Sequence, residues 1–269
     1  MERQSTPQLS EIADSYHCDK GQIGPSPKFG ANNYADIYQA YLYSRRLESL
    51  TLLEIGLGVS GENWDAKIVQ GGNSDGGASI KMWQDYLPNS RIIGVDINPA
   101  KHLETAQIET HVVDQGDLDN WKEFLTSMGE TEFDIVIDDG SHRADHQQLS
   151  LEVLFPRLKS GGLYFIEDLN DSGFNGSGKG RHATHDTYST RDFFKAFNAD
   201  GSVLEPNKFS NTDFLAGIEN VFFHSPRPVQ RSADLMLEAI RFVTGRAKKG
   251  LLRNTFNPDS PKMVVLQKS

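Results

Sequence analysis

Phe133-Asp134-Ile135-Val136-Ile137-Asp138-Asp139-Gly140-Ser141-His142 is the stretch on which the reading of the fold turns. A nearly continuous apolar run ends in two carboxylates, a glycine, a serine and a histidine. A strand buried on both faces reads this way, because helices cover both sides of a parallel sheet and leave neither face to water. A second run, Gly162-Leu163-Tyr164-Phe165-Ile166, ends in Glu167-Asp168. Two neighbouring strands that both terminate in acids bring hard oxygen ligands and a titratable imidazole to one edge of a sheet. Open α/β sheets bind their ligands at that edge. The pattern predicts an enzyme that uses a divalent metal.

The same alternation continues on either side. Leu52 to Ile55, Arg91 to Val95 and Thr110 to Val113 read as strands, as do the late runs Asn220 to Phe223 and Met263 to Leu266. Between them, helical patterns cover Ser79 to Tyr86, Asp119 to Met128, Arg143 to Leu158 and Arg191 to Phe197. This order predicts an α/β architecture with a parallel sheet covered on both faces. Ahead of it, Leu9, Ile12 and Ala13, and then Tyr34, Ile37, Tyr38, Tyr41 and Leu42, recur at helical spacing. Residues 1–50 therefore form a helical cap, and 51–269 a single unit. The polar stretch Asp171 to Thr190 is long enough to suggest a lid.

Composition narrows the class. A net charge of −10 on 269 residues argues against a nucleic-acid surface or a polybasic membrane patch. The local basic run Arg241 to Arg253 reads as a solvated helix face. The single cysteine, Cys18, cannot form an internal disulfide, and the polar, acidic start is unlike a signal peptide. No apolar run reaches the length of a membrane span. These features predict a soluble cytoplasmic protein.

Glu54-Ile55-Gly56-Leu57-Gly58 closes the first strand and Asp96 closes the second. Glycines there let the backbone approach a ligand, and an acid at the second position can accept both ribose hydroxyls of a nucleoside cofactor. Gly56-Leu57-Gly58-Val59-Ser60-Gly61 matches the dinucleotide pattern. Yet Glu62-Asn63-Trp64-Asp65 and a further glycine-rich stretch, Gly71 to Gly77, precede any helix. That context favours S-adenosylmethionine over NAD.

Taken with Gly77-Ala78-Ser79-Ile80-Lys81-Met82-Trp83 and Ile93-Gly94-Val95-Asp96, the glycine segment resembles that of the class I S-adenosylmethionine-dependent methyltransferases. Asp114-Gln115, the Asp138 to His142 segment and Ile166-Glu167-Asp168 narrow the resemblance to metal-dependent sugar O-methyltransferases of macrolide-type antibiotic pathways. Tyr16-His17-Cys18-Asp19-Lys20 is similar to that family's T-D-K segment, with Cys18 in place of threonine. The similarity spans roughly residues 12–170. It implies a Rossmann-like, mostly parallel seven-stranded sheet flanked by helices. It also implies cofactor contacts at Glu54, Gly56, Gly58, Ser79, Asp96, Asp114 and Gln115, metal ligands at Asp139, Glu167 and Asp168, and a general base at His142. The implied partners are S-adenosylmethionine, Mg²⁺ or another hard divalent ion, a glycosylated small-molecule acceptor, and further copies of the chain in a homo-oligomer.

The chemistry supports such a set independently. Carboxylates without a cysteine ligand suit a hard ion, and an imidazole near neutrality can take a proton from a metal-polarised hydroxyl. Each residue also has a purely structural reading. Asp139 could cap a turn, and His142 could simply open a helix. Glu167 and Asp168 would point to opposite faces of a regular strand, so both can reach one ion only if the strand ends and the backbone turns. Asp138 is left between a cofactor contact and a turn cap. His146 shares a face with His142, and either orients the site or packs. His182 and His185 read as solvated or substrate-facing. Tyr34, Tyr38, Tyr41, Trp64 and Trp83 read as packing residues, with Trp64 a possible wall of the cofactor pocket. A catechol-type O-methyltransferase, an NAD oxidoreductase and a non-catalytic binding protein are the rival functions.

Overall fold

The computed structural model describes residues 7–23, 31–61, 75–169, 187–226 and 261–269. Trp64, His182, His185, most of the suggested lid and the basic run from Arg241 lie outside these residues.

Seven strands form one sheet: β1 (Thr51–Ile55), β2 (Arg91–Asp96), β3 (Ile108–Val112), β4 (Phe133–Asp138), β5 (Leu158–Ile166), β6 (Ile218–His224) and β7 (Met263–Lys268). Their order is β3-β2-β1-β4-β5-β7-β6. The first five are parallel, and β7 runs antiparallel to both neighbours. The chain reverses direction across the sheet between β1 and β4, so the C-terminal ends of these two strands border the crevice where such sheets bind ligands.

Among the described residues, six α-helices accompany the sheet: α1 (Leu9–Ser15), α2 (Tyr34–Leu42), α3 (Ala78–Tyr86), α4 (Leu118–Met128), α5 (Ala144–Leu154) and α6 (Thr190–Asp200). Their ends follow local chemistry. Asp117 accepts the amides of Asp119 and Asn120 at the start of α4, and Ser189 accepts Asp192 N at the start of α6, each satisfying donors that a helix start leaves open. The helix expected over Arg143 to Leu158 ends earlier, at Leu154. A 3₁₀ turn at Phe155–Arg157 follows, and β5 then begins at Leu158. Pro156 sits inside that turn and supplies no amide to continue the helix.

Strand alternation sorts the interior into two cores. Leu52, Ile135, Ile137, Leu163 and Phe165 face one side, where they pack with Leu9, Tyr34, Tyr38, Ile80 and Trp83 of α1, α2 and α3. Leu53, Ile55, Val136, Tyr164 and Ile166 face the other, against Trp121, Leu151 and Phe193 of α4, α5 and α6. The N-terminal helices therefore share a continuous core with the sheet, and burying residues such as Trp83 and Tyr38 contributes about 1.5–3 kcal/mol each or more.

Candidate active site

The same alternation decides where the acids go. On β1, Glu54 shares the face of Leu52. One step beyond β4, Asp139 follows the face of Ile135 and Ile137, and one step beyond β5, Glu167 follows that of Leu163 and Phe165. Asp138 pairs in register with Ile166, so Asp139 and Glu167 leave adjacent parallel strands side by side. All three point towards the N-terminal helices. Asp138 points the other way, into the α5 side, where it is fully buried and accepts from Ser150 Oγ at 2.7 Å and, on its two oxygens, from the Gln115 amide nitrogen at 2.8 and 2.9 Å.

The condition set by the adjacent pair Glu167-Asp168 is met. β5 ends at Ile166, Glu167 N still donates to Asp138 O at 2.9 Å, and Asp168 then takes a left-handed conformation with φ +47°. That turn brings Asp168 back towards His142, itself left-handed at φ +57°. His142 Nε2 lies 3.8 Å from Asp168 Oδ2 and its Nδ1 lies 4.0 Å from Asp139 Oδ1. Asp139, His142 and Asp168 are thus brought together as expected.

Lys20 joins the site without having been expected there. Its side chain is wholly buried, and its ammonium lies 2.5 Å from Asp139 Oδ2 and 2.8 Å from Glu167 Oε1. Two tyrosines that read as packing residues also donate to the acids: Tyr34 Oη to Asp168 Oδ1 at 2.7 Å, and Tyr38 Oη to Glu167 Oε1. The sequence carries one signal for Lys20, its place in the Cys18-Asp19-Lys20 segment. The signal for the tyrosines is their four-residue spacing, which puts them on one helix face.

Burial dominates the electrostatics. It pushes the Asp139 carboxyl up to about 6, partly offset by Lys20, and raises Glu167 further. Burial alone would lower the Lys20 ammonium, but Asp139 and Glu167 hold it well above its ordinary range. Burial also raises the hydroxyls of Tyr34 and Tyr38, which keeps them protonated as donors. Among the described residues, no three His, Cys, Asp or Glu side chains already converge as a ready ligand set. The Lys20 ammonium occupies the gap between two of the acids.

At the cofactor end, Gly56 has φ +89°, and a Cβ there would stand 2.3 Å from Asp139 O. Gly58 has φ +66°, and a Cβ at this position would meet nothing within 4 Å among the described residues, so of the two glycines it is Gly58 that has room beside it there. The Asp96 carboxylate accepts Leu57 N at 2.8 Å and Asn98 N at 2.9 Å, tying the glycine turn to the end of β2. Glu54 is fully buried, and neither oxygen makes a hydrogen bond among the described residues. Burial pushes its carboxyl up to about 7, against the lowering influence of Lys20 and of the Ser79 and Trp83 side chains. Asp114 Oδ1 accepts Gly116 N at 2.9 Å within its own turn. The Gln115 amide is taken up at both ends, by Asp138 and by Ser141 N at 2.9 Å. His146 bonds Ser141 Oγ at 2.9 Å, and its ring occupies the space beside Gly116.

The fold has counterparts among known proteins. The methyltransferase MycE of the mycinamycin biosynthetic pathway, solved with Mg, SAH and mycinamycin VI, superposes with a TM-score of 0.62 at 22% identity, over 98% of this chain and 55% of that one. A second MycE crystal form, with Mg and SAH, gives 0.59 at 24% over 87% and 60%. The fold is that of the class I methyltransferases. Among curated sequences, this chain is 37% identical over 167 residues to the rhamnosyl-tetracenomycin C 3'-O-methyltransferase of Streptomyces olivaceus, covering 60% of this chain and 39% of the relative. It is 34% identical over 165 residues to mycinamicin VI 2''-O-methyltransferase of Micromonospora griseorubida, covering 61% and 36%. Demethylmacrocin O-methyltransferase of Streptomyces fradiae is 35% identical over 165 residues, with the same shares. The chain spans less than half the length of these curated relatives. No family model matches it.

Proposed function

We propose that this protein transfers a methyl group from S-adenosylmethionine to a sugar hydroxyl of a glycosylated natural product, assisted by a divalent metal. The observation that carries the reading is the pair Asp139 and Asp168 flanking the His142 ring at 4.0 and 3.8 Å, at the C-terminal edge of β4 and β5, with Glu167 joined to Asp139 through the shared Lys20 ammonium. Sugar O-methyltransferases among the sequence relatives favour a sugar acceptor over a catechol.

The residues fit both groups. A buried Glu54 carboxylate without a hydrogen-bond partner among the described residues suits the ammonium of an amino-acid-derived cofactor, and the space that the described residues leave at Gly58 admits the cofactor beside the backbone. Asp96, at the end of β2, would accept the ribose hydroxyls. Three carboxylates suit a hard ion such as Mg²⁺, which would be held by Asp139, Glu167 and Asp168. When bound, such an ion lowers the pKa of a coordinated hydroxyl. His142 takes the hydroxyl proton, and the positive charge it gains forms between Asp139 and Asp168, 4.0 and 3.8 Å away. The acceptor oxygen then forms its bond to the methyl carbon as the sulfur–carbon bond breaks, so the protein contributes mainly alignment and exclusion of water. Gln115 and Asp138 lock the loops after β3 and β4 together, which holds Asp139 and His142 in place beside them. The same reading takes the enzyme as a cytoplasmic homo-oligomer, and sedimentation of the purified protein tests its oligomeric part.

Incubation with labelled S-adenosylmethionine and rhamnosylated or macrolide-sugar acceptors tests the function. Label should pass to a sugar hydroxyl with added Mg²⁺ and stop with EDTA. Transfer only to vicinal phenols, or equal transfer in EDTA, would overturn the reading.

A further inference from the structure

We infer that the N-terminal helical segment supplies the outer shell of the metal site: Lys20, Tyr34 and Tyr38 together hold one oxygen of each carboxylate and leave the other for the ion. The inference rests on the metal-assisted reading above. The division of oxygens is complete. Asp139 gives Oδ2 to Lys20 at 2.5 Å, Glu167 gives Oε1 to Lys20 at 2.8 Å and to Tyr38, and Asp168 gives Oδ1 to Tyr34 at 2.7 Å. Asp139 Oδ1, Asp168 Oδ2 and Glu167 Oε2 remain without a donor among the described residues. The first two face the His142 ring, where the acceptor hydroxyl must lie.

The three donors act as one body. Tyr34 and Tyr38 lie one turn apart on α2. Lys20 sits in the loop before it, whose backbone is pinned to the start of α2: Ala35 N donates to Lys20 O at 2.9 Å and Asn33 N to Gly21 O at 3.2 Å. Tyr38 is further fixed by edge contact with Trp83 at 5.0 Å and by Phe165 at 4.7 Å between ring centroids. Carboxylates held this way lose the freedom to rotate away from an ion, which is why outer-shell partners of metal ligands typically account for about 10–100-fold in affinity. The N-terminal segment is then part of the active site rather than a cover over it.

Titration of the full chain with Mn²⁺, following free ion by electron paramagnetic resonance, separates the possibilities. Tyr34→Phe and Tyr38→Phe each remove one hydroxyl and keep the ring, so both should bind Mn²⁺ about 10–100-fold more weakly than wild type. Tyr41→Phe is the matched control on the same helix. Its hydroxyl bonds His224 at 2.8 Å instead, and its Mn²⁺ affinity should equal that of wild type. If wild type binds and the Tyr34 and Tyr38 variants bind equally well, the outer-shell inference fails while the metal reading stands. If wild type itself binds no Mn²⁺, the metal reading fails and takes the inference with it.

Discussion

Lys20 reaches across 119 residues of sequence to place its ammonium 2.5 Å from Oδ2 of Asp139, in a position closed to solvent. A buried ion pair of this kind gives little net stability over a well-packed apolar substitute, but removing one partner strands the other. Here the stranded charges would be two carboxylates, Asp139 and Glu167, on adjacent strands.

Lys20→Met should therefore destabilise the metal-free protein by about 3–5 kcal/mol. Added Mg²⁺ should restore part of that loss, because an ion that binds the folded form adds to its stability. A metal-free variant as stable as wild type would contradict the buried pair.

Glu54 gives a pH signature. Its folded pKa of about 7 lies above the ordinary 4.5, so between these values the folded state holds a proton that the unfolded state has released. Stability therefore falls as pH rises through that window, and the penalty is complete above about 7. From the size of the shift, the Glu54→Gln variant should gain on the order of 3 kcal/mol relative to wild type at pH 8, and nothing at pH 4. The same variant should bind S-adenosylhomocysteine more weakly, because the orphaned carboxylate is read as the partner of the cofactor's ammonium. Denaturant melts at both pH values, with one binding titration, check both halves.

The two glycines of the first turn should separate folding from binding. Gly56→Ala places a methyl against the Asp139 backbone and should cost several kcal/mol in stability, from roughly 1–2 for the left-handed residue and 1–3 for overpacking. Gly58→Ala meets no neighbour, so it should pay only the conformational part, about 1–2 kcal/mol, and lose cofactor affinity. Equal stability losses in the two variants would show that the open space beside Gly58 is not as described.

Removing the imidazole with His142→Ala should lower kcat by about 10²–10⁴-fold, the usual range for a general base. Binding of S-adenosylhomocysteine should be little changed, since His142 borders the carboxylates rather than the glycine turn. Near-wild-type turnover in this variant would remove His142 from the proton transfer.

Much of this site is legible in the sequence because strand chemistry is periodic. Period-2 alternation assigns faces to Glu54, Asp139 and Glu167 before any contact is known, and the adjacency of Glu167 and Asp168 demands the turn that Asp168 makes. Lys20, Tyr34 and Tyr38 are harder. A lysine beside a loop and tyrosines on a helix are ordinary in isolation, and their meaning comes from partners more than a hundred residues away. Gln115 shows the converse. Its place after β3 suggests a cofactor contact, and its amide also bonds Asp138 and Ser141 at the end of β4, with β2 and β1 lying between the two strands. No local pattern announces a hydrogen bond across that distance. The end of α5 is hidden for a simpler reason, since Leu154, Phe155 and Leu158 carry the apolar spacing of the helix past Pro156 to the start of β5.

The most direct test of the central claim is calorimetric titration of EDTA-stripped protein with S-adenosylhomocysteine, followed by Mg²⁺. The account predicts saturable binding of the cofactor product and a separate Mg²⁺ heat that disappears in Asp139→Ala. Absence of any S-adenosylhomocysteine binding, or a Mg²⁺ heat unchanged by Asp139→Ala, would contradict it.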